Sequence, residues 1–126
     1  MKKIIVLIVE DDEVLLRALY ILFHRDEYTV ATATDGDTAI KMAQRLKPDV
    51  ILLDILLPKI DGFGVLRNLK SNPALKHIPI IVLSNLDNTE DVEKAKEMGA
   101  KDYFVKSGTN LEFLSDKIKQ LVKIVK

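Results

Sequence analysis

Short runs rich in Ile, Val and Leu alternate along the chain with longer segments whose apolar residues recur at helical spacing. Strands that are apolar throughout, separated by amphipathic helices, fit a parallel sheet covered on both faces, since each strand is then buried on both sides. Five such units fit, so the expected class is a doubly wound α/β fold. The pattern predicts strands over Lys3 to Val9, Tyr28 to Ala33, Val50 to Leu53, Ile80 to Leu83 and Asp102 to Val105. Helices are predicted over Glu13 to Arg25, Gly36 to Leu46, Phe63 to Ser71, Thr89 to Met98 and Asn110 to Val125. Asp12, Asp35, Asp61 and Asn88 are available as N-caps, Gly99 can take the left-handed residue after the fourth helix, and Pro48 closes the second. In the last helix Leu111, Leu114, Ile118, Leu121, Val122 and Val125 form one apolar stripe. Phe113 and Ile124 lie off it and are expected as additional core packing; their exposure would instead mark a partner face or a homodimer face.

At 126 residues the chain is below the size at which cores split, so a single domain over residues 1–126 is expected, with no room for a separate output domain. Hydrophobic residues at 48% and charged residues at 30% supply a core, which excludes a disordered tail. Nineteen Lys and Arg balance nineteen Asp and Glu. The resulting zero net charge lacks the field of a dedicated nucleic-acid or anionic-membrane binder. Cysteine is absent, which removes disulfides, thiolate zinc sites and a cysteine nucleophile, and fits the cytoplasm. The apolar run after Met1 runs into Glu10, Asp11 and Asp12 without a cleavage site, and Val50 to Leu57 is interrupted by Asp54. Both therefore read as strands, and no membrane insertion is expected.

In an open parallel α/β sheet, ligands bind beyond the carboxyl ends of the strands, near the point where the strand order reverses. There the sequence places Glu10, Asp11 and Asp12 after the first strand, Asp54 after the third, Ser84 at the fourth and Lys106 after the fifth. Clustered carboxylates repel one another and lose hydration, so they protonate or recruit a cation. A hard divalent ion such as magnesium suits one or two carboxylates, a backbone carbonyl and an incoming phosphoryl oxygen. Each residue also has an ordinary reading. Asp12 reads as a helix cap rather than a ligand, Asp61-Gly62 as a turn and cap, and Ser84 alone as a cap. Lys106 alone reads as a solvated side chain, and Glu90 to Glu97 as a wet helix face. His24 and His77 carry no ligand signal. Joint placement on strand ends is what raises the set above these readings.

The chain closely resembles the receiver domain of two-component response regulators over essentially its whole length. The residues that carry this are Val9-Glu10-Asp11-Asp12, the stretch from Asp54 through Leu57, Pro58 and Asp61 to Gly62, then Ser84, then Gly99 to Lys106. The resemblance implies a (βα)5 flavodoxin-like sheet in the order 2-1-3-4-5. It implies that Asp54 accepts a phosphoryl group from a histidine kinase, a phosphotransfer protein or a small acyl phosphate. Asp11 would be a direct magnesium ligand, Glu10 would act largely through water, and the Leu56 backbone carbonyl would add another ligand. Ser84 and Lys106 would contact the phosphoryl group, and Tyr103 matches the aromatic position whose rotamer often follows the switch. A downstream protein would read the surface from Ser84 to the last helix, without direct nucleic-acid contact.

Phosphoryl transfer asks for an aligned oxygen nucleophile and cations that neutralise the phosphoryl oxygens, roles that Asp54, magnesium and Lys106 fill. Three positions depart from the family pattern. Ser107 stands where proline usually follows the lysine, which removes the main reason for a cis peptide, since a non-proline cis bond costs about 2.5 to 4 kcal/mol. Asn85 replaces a commoner small residue, and Leu56 and Leu86 make two positions flanking the site apolar. The expected function is a phosphorylation switch rather than an enzyme. The alternatives are a receiver-like interaction module working without phosphorylation and an aspartate-nucleophile phosphatase. The latter commonly needs a second Asp where this chain has Leu56.

Overall fold

A computed structural model describes residues 3–26 and 28–125, with side chains through residue 122. The elements run β1 (Ile5–Val9), α1 (Glu13–Arg25), β2 (Thr29–Ala33), α2 (Gly36–Leu46), β3 (Val50–Leu53), α3 (Gly62–Lys70), β4 (Ile80–Ser84), α4 (Thr89–Glu97), β5 (Asp102–Val105) and α5 (Leu111–Val125). All strands pair in parallel, in the order β2-β1-β3-β4-β5, so the predicted class and order are both found.

The caps are as the sequence predicts. Asp12, Asp35, Asp61 and Asn88 each accept backbone N–H groups of the first turn that would otherwise lack partners. Gly99 takes φ 111° after α4, and Lys47, in a left-handed conformation, ends α2 just before Pro48. Boundaries shift where a polar partner competes with the ladder. β1 starts at Ile5 rather than Lys3, and the Ile5 N–H goes to the Asp49 carboxylate at 2.8 Å. β2 starts at Thr29, because the Tyr28 N–H turns back to the Phe23 carbonyl. α5 starts at Leu111, because Asn110 caps it by accepting from Glu112 and Phe113.

The sheet separates two cores. On one side Leu7, Val9, Ile51, Leu53, Ile80 and Val82 meet α2, α3 and α4 through Ile40, Phe63, Leu66, Leu69 and Ala95. On the other side Val6, Ile8, Leu52 and Ile81 meet α1 and α5 through Leu19, Phe23, Leu114, Ile118 and Val122. The α5 stripe is thereby accounted for through Val122; Val125 and Ile124 have side chains outside the described residues. Phe113 corrects the expectation of core packing. It is 49% exposed, set edge-on against Phe104, with the Lys117 ammonium over its ring. One residue before Leu114, it is turned about 100° from the buried Leu114, Ile118 and Val122 stripe.

Strand register positions what lies beyond the strands. Val9 pairs with Leu53, and the Asp54 N–H donates to the Val9 carbonyl at 3.0 Å, so Glu10 and Asp54 leave the sheet side by side. Ser84 pairs with Val105, which brings Lys106 to the same edge. There the chain makes a short 3-10 turn over Lys106–Gly108 that the sequence pattern does not predict, closed by the Thr109 hydroxyl donating to the Val105 carbonyl. No cis peptide occurs among the described residues, so Lys106–Ser107 is trans.

Candidate functional site

Glu10, just beyond β1, is only 2% exposed, and Asp54 beyond β3 is 4% exposed. Two carboxylates so placed demand a cation, and the first is supplied by Lys106. Its Nζ lies 2.8 Å from Glu10 Oε1 and 3.0 Å from Asp54 Oδ2. Glu10 also accepts the Asp12 N–H at 3.1 Å, and Asp54 Oδ1 accepts the Leu56 N–H at 3.3 Å. Burial raises the Glu10 carboxyl above the ordinary glutamate value against the opposing pull of Lys106. Burial alone would lower the Lys106 ammonium, but its bonds to Glu10 and Asp54 outweigh that and hold it above the usual lysine value.

Asp11 is exposed beside this pair, and one carboxylate oxygen from each of Glu10, Asp11 and Asp54 lies within 4.8 Å of the others. Three acids facing one ammonium leave the pocket short of positive charge. All-oxygen donors at this spacing fit a hard divalent ion that retains several waters. Asp12 is turned away as the α1 cap, accepting from Val14 at 3.0 Å and Leu15 at 3.3 Å, as its sequence reading expects.

Ser84 is fully buried at the end of β4, and its hydroxyl oxygen accepts the Leu86 N–H at 3.2 Å. The same hydroxyl also hydrogen-bonds the Tyr103 phenol, an interaction that lowers the phenol against burial. Tyr103 is buried, and its hydroxyl donates to the Leu86 carbonyl. Burial pushes the Tyr103 phenol up. Leu86 thus joins Ser84 to Tyr103 through its own backbone, a link no sequence pattern reveals because any residue type could make it. Leu56 is 55% exposed at the pocket rim, whereas Leu86 is partly buried against the core.

The model of the response regulator receiver domain matches residues 6–119. The chain belongs to that family. Its acidic pair, Asp54, Ser84 and Lys106 stand at the strand ends of a receiver domain of two-component systems. It is 43% identical over 101 residues to the response regulator PleD of Caulobacter vibrioides, covering 80% of this chain and 22% of that protein. The receiver domain thus spans about a fifth of that relative. The Francisella response regulator 1452 receiver domain superposes with a TM-score of 0.91 at 27% identity, covering 98% of this chain and all of that one. The receiver domain of sensor histidine kinase PA1611 from Pseudomonas aeruginosa PAO1 is described with a magnesium ion coordinated in its active-site cleft. It superposes at 0.87 with 26% identity over 97% of this chain and 99% of its own. Among the described residues no helix is long and apolar enough to cross a membrane.

Proposed function

We propose that this receiver domain, a single unit over residues 1–126, is a phosphorylation switch in which Asp54 takes a phosphoryl group from a histidine kinase or phosphotransfer protein. The observation that carries the reading is the buried Asp54 carboxylate held 3.0 Å from Lys106 within an acidic pocket. An Asp54 oxygen bonds to phosphorus as the phosphorus–nitrogen bond of the donor's phosphohistidine breaks. Glu10, Asp11, Asp54 and the Leu56 carbonyl would hold magnesium, which when bound supplies charge to neutralise the phosphoryl oxygens. Lys106 moves from the Asp54 carboxylate to a phosphoryl oxygen without leaving the pocket, keeping Glu10 as its second anchor. The Ser84 hydroxyl turns from Tyr103 to donate to another phosphoryl oxygen.

The acyl phosphate adds charge and acceptor oxygens at one edge of the sheet. Because the Ser84 oxygen accepts from Leu86, and Leu86 accepts from Tyr103, movement of Ser84 repacks the start of the β4–α4 loop and the Tyr103 ring together. The surface from Ser84 to α5, where Phe113 is exposed, is then the readout for a downstream protein. The reading is of a cytoplasmic switch that acts in its own phosphorylation, not of a turnover enzyme.

Incubation with acetyl phosphate or a phosphorylated kinase domain, plus magnesium, tests this. Peptide mapping by mass spectrometry should find an acid-stable, hydroxylamine-labile phosphoryl group on Asp54. Persistent failure to label the wild type, or undiminished labelling of Asp54→Ala, rejects the assignment, and the first result favours a receiver-like module working without phosphorylation.

A further inference from the structure

We propose that Gly36, the first residue of α2, positions the acceptor loop: it must lack a side chain so that α2 can brace the Pro58–Ile60 backbone and hold Leu56 beside Asp54. This rests on the reading of Glu10, Asp11, Asp54 and the Leu56 carbonyl as a magnesium site. Gly36 opens a helix, where alanine is the better former, so local conformation does not call for glycine. Space does. A Cβ there would lie 1.8 Å from the Ile60 carbonyl oxygen and 2.7 Å from its carbon, both backbone atoms that cannot rotate away.

The contact is also bonded. The Gly36 N–H donates to the Pro58 carbonyl at 3.3 Å. Between Pro58 and Ile60, Lys59 takes φ 68°, with its Nζ 3.9 Å from Asp35, the residue that caps α2 through Thr38. On its inner side the same loop is gathered on one carbonyl, Ile55, which accepts from Leu57 at 3.1 Å and from Gly62 at 2.7 Å. Leu56 sits between these two grips, its N–H on the Asp54 carboxylate. With the inner end fixed, pushing Ile60 outward must either break the Gly36–Pro58 bond or drag Leu56. A misplacement of about 1 Å remote from the reacting atoms can cost on the order of 100-fold in function.

The experiment titrates the full isotope-labelled chain with magnesium chloride by NMR, comparing wild type, Gly36→Ala and Ala43→Gly. Ala43 is buried on the same helix away from the loop, so its variant controls for loss of α2 stability. Gly36→Ala should weaken magnesium binding at least tenfold, while Ala43→Gly stays within twofold of wild type. Coupling is reciprocal, so in the wild type saturating magnesium should slow hydrogen exchange of the Gly36 amide. Gly36→Ala binding within twofold of wild type overturns the proposal. Should that variant not fold, unchanged Gly36 exchange in wild type overturns it instead. If the wild type itself binds no magnesium, the reading of the metal site falls and takes this proposal with it; intact wild-type binding confines any failure to Gly36.

Discussion

Replacing Lys106 by Met keeps most of the stem and removes the ammonium, leaving Glu10 and Asp54, at 2% and 4% exposure, without their cation. Breaking a buried ion pair by deleting one partner typically costs about 3–5 kcal/mol, because the charge left behind is no longer compensated. Here one ammonium serves two carboxylates at 2.8 and 3.0 Å, which argues for a large effect. Its side chain is 15% exposed and the pocket opens to water beside Asp11, which argues for a smaller one. The lower end of the range wins, about 3 kcal/mol, or roughly 10 °C in midpoint for a domain of this size. Magnesium should act in the opposite sense. The ammonium that repels a dication is gone, so Lys106→Met should bind magnesium more tightly and recover more stability from it than wild type does. Thermal and urea melts of both proteins, in chelator and in millimolar magnesium, measure all four values. A variant as stable as wild type in chelator would show that the lysine does not neutralise the pair. An equal magnesium gain in both proteins would show that the metal does not share its pocket.

Asp11→Asn should raise stability in chelator by up to about 1 kcal/mol, since it removes an exposed charge near two others, and should abolish the gain from magnesium; a loss of stability in chelator would mean that Asp11 makes a structural bond instead. The Leu56 side chain at the pocket rim and Leu86 beyond Ser84 cannot orient a water behind phosphorus, so the phosphoryl group should persist, and Leu56→Asn or Leu86→Glu should shorten its lifetime. Phosphate release with magnesium present and no phosphatase measures this, and unchanged decay in both variants refutes it. Because Leu86 packs on the core and Leu56 does not, only the Leu86 variant should also lose stability. The Thr38 N–H holds Asp35 below its ordinary pKa of 3.8, so its contribution is present above that value and fades as pH falls through the lower folded one. Urea melts should therefore show the penalty of Asp35→Ala at pH 7 narrowing below that range, and a penalty independent of pH would rule out the charged cap.

Local patterns alone settle the five strands, the five helices and four of the caps, because each depends on neighbours within a few residues. An apolar run long enough for a strand, or an Asp at the start of a helical period, needs no distant partner to be recognised. The edge on which chemistry gathers also follows, since every parallel strand delivers its carboxyl end to the same side. The boundaries at Ile5, Thr29 and Leu111 do not follow, because Asp49 and Phe23 each take a single N–H at a strand start, and Asn110 supplies the acceptor that the first-turn N–H groups of Glu112 and Phe113 lack within the helix. The Lys106–Glu10 pair spans 96 residues, and its existence depends on register through three intervening strand pairings. Gly36 is the sharpest case. In sequence it is an unremarked first helical residue, and only the packing of α2 against Ile60, 24 positions away, makes its missing side chain matter. Propensity and periodicity are written in the chain. Which backbone presses against which is decided by the sheet that closes between them.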